Sequence, residues 1–262
     1  MKMNSVYKTV LVELNGEVAK VTLNRPESLN ALNTVLINEL NEVLQELSSN
    51  EHTKIVVLSG EGRAFSSGGD IKEMLQLSGK EQFFTIMEQI NSLVTTLYTM
   101  PKLTIAAVNG AAAGLGLSLA LGADYVVCHE NSKLAMNFIG IGLVPDGGGH
   151  FHLERRIGEK NAKQLIWEGK VLSGPEVKQI GLVDAVVTDV EEAVKQQITY
   201  WKAKPMLSMI ETKKIFTAIN KTKLKTILEL ETSAQWNMRQ TYDHQEGIKA
   251  FVEKRIPNFQ GK

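Results

Sequence analysis

The sequence contains 262 residues, of which 43% are hydrophobic and 22% are charged, a length that fits one α/β domain with a helical appendage. Lysine and arginine together number 29, as do aspartate and glutamate, so the formal net charge is zero and no general attraction to nucleic acid is expected. The single cysteine, Cys128, excludes an internal disulfide and suits a reducing compartment, so we expect a cytoplasmic protein.

No segment of the sequence predicts export or membrane insertion. The first eight residues contain no apolar stretch behind their lysines that would form the core of a signal peptide. The most apolar region, Leu103 to Val127, is interrupted by Asn109, several glycines and Asp124. We therefore expect no membrane partner.

The first predicted elements are an antiparallel hairpin and a helix. Val6 to Leu14 and Val18 to Leu23 alternate or run apolar on either side of Asn15-Gly16, a dipeptide suited to the positive φ angles of a two-residue turn. Asn33 or Thr34 is placed to cap the helix that follows. Its apolar residues recur at helical spacing: Leu36, Ile37, Leu40, Val43, Leu44 and Leu47.

The rest of the chain predicts an α/β core followed by helices. Lys54 to Leu58 and Leu103 to Val108 have the pattern of buried strands, and Glu81 to Tyr98 that of a helix. This alternation favours an α/β core over a sandwich or a helical bundle. After Thr188 the predicted helices are Glu191–Lys202, Met206–Ile219, Leu224–Met238 and Asp243–Lys254. We expect a core over residues 1–200 and a helical subdomain over 201–262, packed on the core or on a neighbouring subunit.

Two segments combine a strand, small residues and a helix. One runs over residues 54–74 and the other over residues 103–120. Glycine and alanine let a ligand approach the main chain, and a helix N-terminus offers unpaired N–H groups. Neither segment matches a dinucleotide fingerprint or a phosphate loop. They are predicted to face one non-phosphate oxyanion, or else to be turns whose small residues let helices pack closely on strands.

Five motifs in this order resemble the crotonase superfamily, also called the enoyl-CoA hydratase/isomerase family, over essentially the whole chain. They are Leu23-Asn-Arg-Pro26 with Asn30-Ala-Leu-Asn33, Ala64-Phe-Ser-Ser-Gly-Gly-Asp-Ile-Lys72, Ala107-Val-Asn-Gly110, Gly142-Leu-Val-Pro-Asp-Gly-Gly-Gly149 and Glu246-Gly-Ile-Lys-Ala-Phe-Val-Glu-Lys-Arg255. The resemblance implies an α/β fold, a spiral of ββα turns with a C-terminal helical region that forms a trimer, and commonly a hexamer of two trimers.

The resemblance also implies a ligand and its contacts. The substrate would be an acyl-CoA thioester, with no separate cofactor because CoA is part of the substrate. The thioester oxygen would lie between the main-chain N–H groups of Gly69 and Leu115. The predicted substrate- and CoA-binding positions are Ser67, Asp70, Ile71, Lys72, Phe251 and Lys254, and of these Asp70 is also placed to cap a helix. Lysines suit phosphates as point charges.

The predicted proton-transfer residue is Asp146. Hydratases of this family use two glutamates, and the corresponding positions here hold Ser118 and Phe138, which do not replace them. An aspartate after Pro145 resembles ring-epoxide isomerases of phenylacetate degradation and some enoyl-CoA isomerases, in which it shuttles a proton. The alternative is that Asp146 only caps the helix after the glycine run.

The sequence thus favours an acyl-CoA isomerase, with an enoyl-CoA hydratase or a catalytically silent acyl-CoA-binding protein as alternatives. Glu73 and the helix around Lys80 to Tyr98 are expected to line the acyl pocket, with Phe83, Phe84 and Met87 as candidates to shape it or to be ordinary core. His150 and His152 are interpreted as structural, and no metal is predicted, because a third ligand at a persuasive spacing is missing.

Overall fold

The structure, a computed structural model, describes residues 7–76 and 79–262. Its strands are β1 (Val10–Asn15), β2 (Val18–Leu23), β3 (Ile55–Gly60), β4 (Ala64–Ser66), β5 (Leu103–Val108), β6 (Ala111–Ala113), β7 (Tyr125–His129), β8 (Lys133–Ala135), β9 (Val171–Ser173) and β10 (Ala185–Val187). Its helices are α1 (Thr34–Ser49), α2 (Ile71–Gln76), α3 (Lys80–Thr99), α4 (Leu115–Leu121), α5 (Gly149–Glu168), α6 (Gly174–Gln179), α7 (Val190–Lys202), α8 (Met206–Arg239) and α9 (Tyr242–Glu253).

The strands form two sheets that the chain visits in turn. One sheet has the order β1-β2-β3-β5-β7-β10, and the other has the order β4-β6-β8-β9. Strands β2, β3, β5, β7 and β10 are parallel neighbours, and so are β4, β6 and β8. Each of β3, β5 and β7 is followed directly by a short strand of the other sheet and then by a helix. This repeat is the expected spiral of ββα turns.

The core lies on both faces of the larger sheet. Strands β3 and β5 are buried along their whole length, as their apolar runs predict. One face carries the main apolar cluster, to which α1 and α3 contribute their buried stripes. The other face packs against Val194 and Trp201 of α7 and Ile210 of α8. The rigid spiral therefore fixes the turns between its strands and helices, where the candidate site lies.

The predicted hairpin is present with a different turn. Strands β1 and β2 pair antiparallel, and Asn15 belongs to β1, where it lies opposite Val18. Only Gly16 in the turn has a positive φ, 57°, so the Asn15-Gly16 turn prediction was wrong by one residue. The predicted strand start at Val6 lies outside the described residues. Helix α1 is capped by Asn33, whose side chain accepts a hydrogen bond from the Leu36 amide.

The largest correction to the predicted elements concerns α8. Two helices were expected over Met206–Ile219 and Leu224–Met238, but the structure has one helix of 34 residues. The polar residues 220–223 between them contain no glycine or proline, and none of them is buried, so nothing interrupts the helix. Helix α8 packs on α3 and α5. Among the described residues, no helix has the length and hydropathy needed to cross a membrane.

Candidate active site

The two glycine-rich turns touch each other. The first lies between β4 and α2, and the second between β6 and α4. Gly68 has a φ of 96°, and a Cβ atom there would lie 2.7 Å from the Ala113 carbonyl oxygen and 3.6 Å from the Leu115 amide nitrogen. Only glycine fits this approach, because a side chain would be strained and would clash with main chain. The sequence therefore places the amides of residues 69 and 115 in adjacent turns.

Both predicted oxyanion amides are unpaired in the described structure. Within residues 7–76 and 79–262, neither the Gly69 nor the Leu115 N–H donates to an acceptor, whereas the neighbouring Gly68, Asp70 and Gly114 amides all have acceptors. Leu115 is the first residue of α4, where helical amides are free by geometry. These amides remain available to a ligand oxygen, and they lie beside empty space.

Two cavities meet at these turns. Both are lined by Gly69, Met74, Leu115 and Asp146. The first has a volume of about 60 Å³. Its other lining residues are the apolar Leu32, Ile37, Phe83, Ile86, Met87 and Ile90 and the polar or charged Asp70, Glu73, Gln235 and Arg239. The second has a volume of about 180 Å³ and runs between the first turn, the 3₁₀ turn Asn137–Ile141 and Phe251 of α9.

The predicted CoA-binding residues divide between the cavities and the surface. Ser67, Ile71 and Phe251 line the second cavity. Lys72 and Lys254 are exposed and line neither cavity. The structure thus brings the apolar and hydroxyl members of the predicted set together and leaves the two lysines outside.

Asp70 lines the first cavity, but its carboxylate is already engaged. One oxygen pairs with Arg25 Nη1 at 3.0 Å, and the other accepts from the amides of Lys72 and Glu73 at 3.2 and 3.4 Å. These bonds cap α2 and join it to the chain before α1. Asp70 therefore holds the first turn in place.

Three of the four residues expected to line an acyl pocket reach the first cavity. Glu73, Phe83 and Met87 line the first cavity. Phe84 does not, because it points to the other side of α3, where it stacks on Phe83 and Trp236 with ring centroids 5.4 and 5.8 Å away. Phe84 therefore belongs to an aromatic cluster with Trp236.

Asp146 has an unusual environment for a carboxyl group. It is partly exposed to the two cavities, but its Oδ1 atom is buried and has no hydrogen-bond partner among the described residues. Its Oδ2 atom accepts from Gln235 Nε2 at 3.3 Å. Burial, and next the negative charge of Glu231, raise the pKa of Asp146 to about 8. This carboxyl can hold a proton near neutral pH and release it in the same range.

The side chain of Asp146 caps no helix. Helix α5 begins at Gly149, its N-cap is Gly148, and the cap has no side-chain hydrogen bond. The main-chain oxygen of Asp146 accepts from the Gly149 amide at 3.1 Å and from Ser118 Oγ at 2.9 Å. Ser118 therefore anchors the Asp146 turn through the main chain.

Glu231 of α8 supplies the missing cap of α5. Glu231 is 3% exposed. Its carboxylate accepts hydrogen bonds from the Gly148 amide at 2.7 Å and from the His150 amide at 3.0 Å. The His150 ring nitrogen Nδ1 lies 2.8 Å from the same carboxylate. Sequence reasoning missed Glu231 and Gln235. The available signal was their spacing, because they continue the buried face of Leu224 and Leu228 on α8.

The remaining candidates are structural in position. Phe138 lines the second cavity. His152 is buried, and burial followed by the charges of Arg156 and Arg155 lowers its pKa to about 3, so its ring is neutral. In the part of the chain that the structure describes, no cluster of three histidine, cysteine or acidic residues could hold a metal ion.

Comparisons with known proteins identify the family of the chain. Residues 13–262 match the family model described as Enoyl-CoA hydratase/isomerase. A Bacillus subtilis (strain 168) protein, provisionally named enoyl-CoA hydratase/isomerase YhaR, is 52% identical over 94% of this chain and 96% of its own length. The 1,2-epoxyphenylacetyl-CoA isomerase of Escherichia coli (strain K12) is 33% identical over 97% of this chain and 98% of its own length.

A solved structure extends the comparison to the fold. The crystal structure of an enoyl-CoA hydratase from Mycobacterium avium subsp. paratuberculosis K-10 has a TM-score of 0.87 and 33% identity, over 97% of this chain and 99% of that chain. Its sequence likeness and that of the other relatives extend through both turns and α8. The chain therefore belongs to the enoyl-CoA hydratase/isomerase family and has the crotonase fold.

Proposed function

We propose that this protein is an acyl-CoA isomerase that moves a double bond, or opens a ring epoxide, through a thioester enolate. The observation that carries the proposal is one carboxyl group with a pKa near 8, Asp146, beside two unpaired main-chain amides. The family resemblance places Ser118 and Phe138 at the positions of the two hydratase glutamates, so on this proposal a single acid–base group serves both carbons. The E. coli relative named as an isomerase supports the same choice.

The double-bond shift requires one base and one oxyanion site. The thioester oxygen accepts hydrogen bonds from the Gly69 and Leu115 amides. Asp146 removes a proton from the carbon next to the thioester, and the electron pair passes into the thioester oxygen as an enolate. The same carboxyl returns the proton to the γ carbon, which leaves the double bond between the α and β carbons. A pKa near the working pH suits a group that both takes and returns a proton.

The second cavity is the proposed path of the pantetheine arm of CoA. Ser67, Ile71 and Phe251 line it, and the exposed Lys72 and Lys254 are near two of these residues in the chain. Those lysines would meet the phosphates in solvent, where a point charge is sufficient. Asp70 supports the binding turn from behind through Arg25.

The proposed assembly is a homotrimer, or a hexamer of two trimers, formed through residues 201–262. Helix α8 exposes large apolar side chains that a monomer would leave in water: Leu207, Ile215, Phe216, Ile219 and Leu230. Light scattering coupled to size-exclusion chromatography measures the mass directly. A monomer at micromolar concentration would contradict this assembly.

The reaction is tested with 3-hexenoyl-CoA, crotonyl-CoA and an Asp146→Asn variant. Wild-type protein should convert 3-hexenoyl-CoA to the conjugated isomer, seen by ultraviolet absorbance, and the variant should lose about 10²- to 10⁴-fold in kcat. Binding of hexanoyl-CoA to the variant checks that the site is intact. Rapid hydration of crotonyl-CoA that Asp146→Asn leaves unchanged would establish the hydratase alternative instead. Binding without turnover of any acyl group would favour the catalytically silent alternative.

A further inference from the structure

Arg239 lines the first cavity and has no counter-ion among the residues that the structure describes. It is the last residue of α8 and lines this cavity together with Gln235 and Asp146. Its guanidinium lies 5.4 Å from the centre of the Phe83 ring, and its Nη2 atom donates to the Met74 carbonyl oxygen at 3.3 Å. These contacts leave most of its five N–H donors without a partner among the described residues.

The charge balance of Arg239 differs from that of the other arginines. No carboxylate of the described residues lies within 4.0 Å of its guanidinium, and residues 1–6 and 77–78 contain no aspartate or glutamate in the sequence. Burial alone lowers the pKa of Arg239, with no nearby anion raising it. The others are paired or exposed: Arg25, Arg156 and Arg255 have carboxylate partners, and Arg63 and Arg155 are exposed. A partly buried guanidinium without an anion is costly, which points to an external partner.

The acidic residues that share the cavity do not provide that partner. Asp70 is paired with Arg25, and Glu73 accepts from the Thr34 amide at 2.8 Å. Neither lies within ion-pair distance of Arg239, and Asp146 is held by Gln235. A ligand anion would therefore meet one uncompensated positive charge.

The position of Arg239 assigns this anion to one end of the substrate. Gly69, Leu115 and Asp146 lie where the two cavities meet, and Arg239 lines only the first. On the proposed function, the thioester lies at the junction, CoA fills the second cavity and the acyl chain enters the first. We propose that Arg239 binds a carboxylate at the distal end of a short acyl chain, so that the preferred substrates are CoA monothioesters of dicarboxylic acids. A guanidinium matches a carboxylate with two parallel hydrogen bonds.

Calorimetric binding tests this inference without any turnover. The ligands are two matched pairs of saturated thioesters, glutaryl-CoA with pentanoyl-CoA and adipoyl-CoA with hexanoyl-CoA. Wild-type protein should bind at least one dicarboxylic member about tenfold or more tightly than its partner, as a charge-assisted pair provides. Arg239→Met should remove this preference and leave the affinity for the monocarboxylic members within about twofold. Arg239→Lys should keep part of the preference, because it keeps the charge and loses the paired geometry.

Two controls separate a specific site from a change in the fold. Arg63→Met removes an exposed arginine that lines neither cavity and should leave all four affinities unchanged. Should Arg239→Met fail to fold, Arg239→Gln takes its place and the same loss is expected. Equal or weaker binding of both dicarboxylic members by wild-type protein overturns the inference, and so does a preference that survives in the Met or Gln variant. Because saturated thioesters cannot be isomerised, a failed isomerase assay with an intact preference would overturn the proposed reaction alone.

Discussion

The two sides of the site are built from different parts of the chain. On the oxyanion side, main-chain amides come from two successive turns of the spiral, and the side chains at positions 69 and 115 do not supply the donors. On the proton side, Asp146 contacts Gln235, which lies 89 residues later in the chain on α8. On the proposed reaction, local motifs define the oxyanion donors, whereas the pKa of Asp146 depends on burial and on the charge of Glu231 in a distant helix.

The largest effect on the oxyanion side is expected where the main chain itself is changed. Leu115→Pro removes the N–H at the first position of α4, where proline is otherwise tolerated. Loss of one oxyanion donor should lower kcat by about 10²- to 10³-fold, or roughly 2.7 to 4 kcal/mol. Isomerisation of 3-hexenoyl-CoA measures this change.

The matched control is Leu115→Ala, which keeps the amide and removes the same buried side chain. Leu115 is 3% exposed, so the alanine variant should lose about 2 to 5 kcal/mol of unfolding free energy. At a temperature where it remains folded, its kcat should stay close to that of wild-type protein. Equal losses of kcat in the proline and alanine variants would remove Leu115 from the oxyanion side.

The second prediction concerns the free energy of unfolding and its dependence on the protonation of Asp146. A buried carboxyl whose pKa is raised to about 8 stabilises the fold while protonated, and this contribution is lost as pH rises from the unfolded value of 3.8 through about 8. Asp146→Asn should therefore raise the unfolding free energy at about pH 9 by roughly 3 kcal/mol, because the amide avoids the cost of charging this carboxyl but is itself a buried polar group with incomplete hydrogen bonds. The gain should shrink towards about pH 4. Thermal melts across this range test it, and a pH-independent difference would contradict it.

The fold and the two glycine-rich turns were largely predictable from the sequence. The turn glycines, the strand runs and the Asn33 cap are local features, and each is present where the pattern predicted it. Asp146, which was selected from its motif, lines the same two cavities as Gly69 and Leu115.

The contributions of α8 were not predictable in the same way. Glu231 and Arg239 reach the site because α8 packs across α3 and α5, which is a tertiary contact without a local motif. Phe83 and Phe84 are adjacent in sequence, and only the rotation of α3 decides which of them faces the cavity. The polar residues 220–223 separated two predicted helices, because the sequence alone does not show that one helix continues through them.

The third prediction changes the charge next to the base without changing its shape. Glu231→Gln removes a negative charge that raises the pKa of Asp146, so the pH midpoint of kcat should move from about 8 towards acid. A shift of about one unit corresponds to roughly 1.4 kcal/mol and would raise kcat about tenfold at about pH 6. The pH profile of 3-hexenoyl-CoA isomerisation measures the midpoint. An unchanged midpoint would mean that Glu231 serves only as the cap of α5.

The smallest effect is expected at the contact that joins the two sides. Ser118 lies on α4, which begins at the oxyanion residue Leu115, and its Oγ atom donates to the Asp146 main-chain oxygen. Ser118→Ala leaves this oxygen its bond from the Gly149 amide, so the loss of unfolding free energy should be about 0.5 to 1.5 kcal/mol. Thermal melts measure this loss. The serine does not touch substrate in the proposed reaction, so kcat should fall less than about tenfold and the pH midpoint of kcat should not move. A loss of kcat as large as that of Asp146→Asn would make Ser118 part of the proton transfer itself.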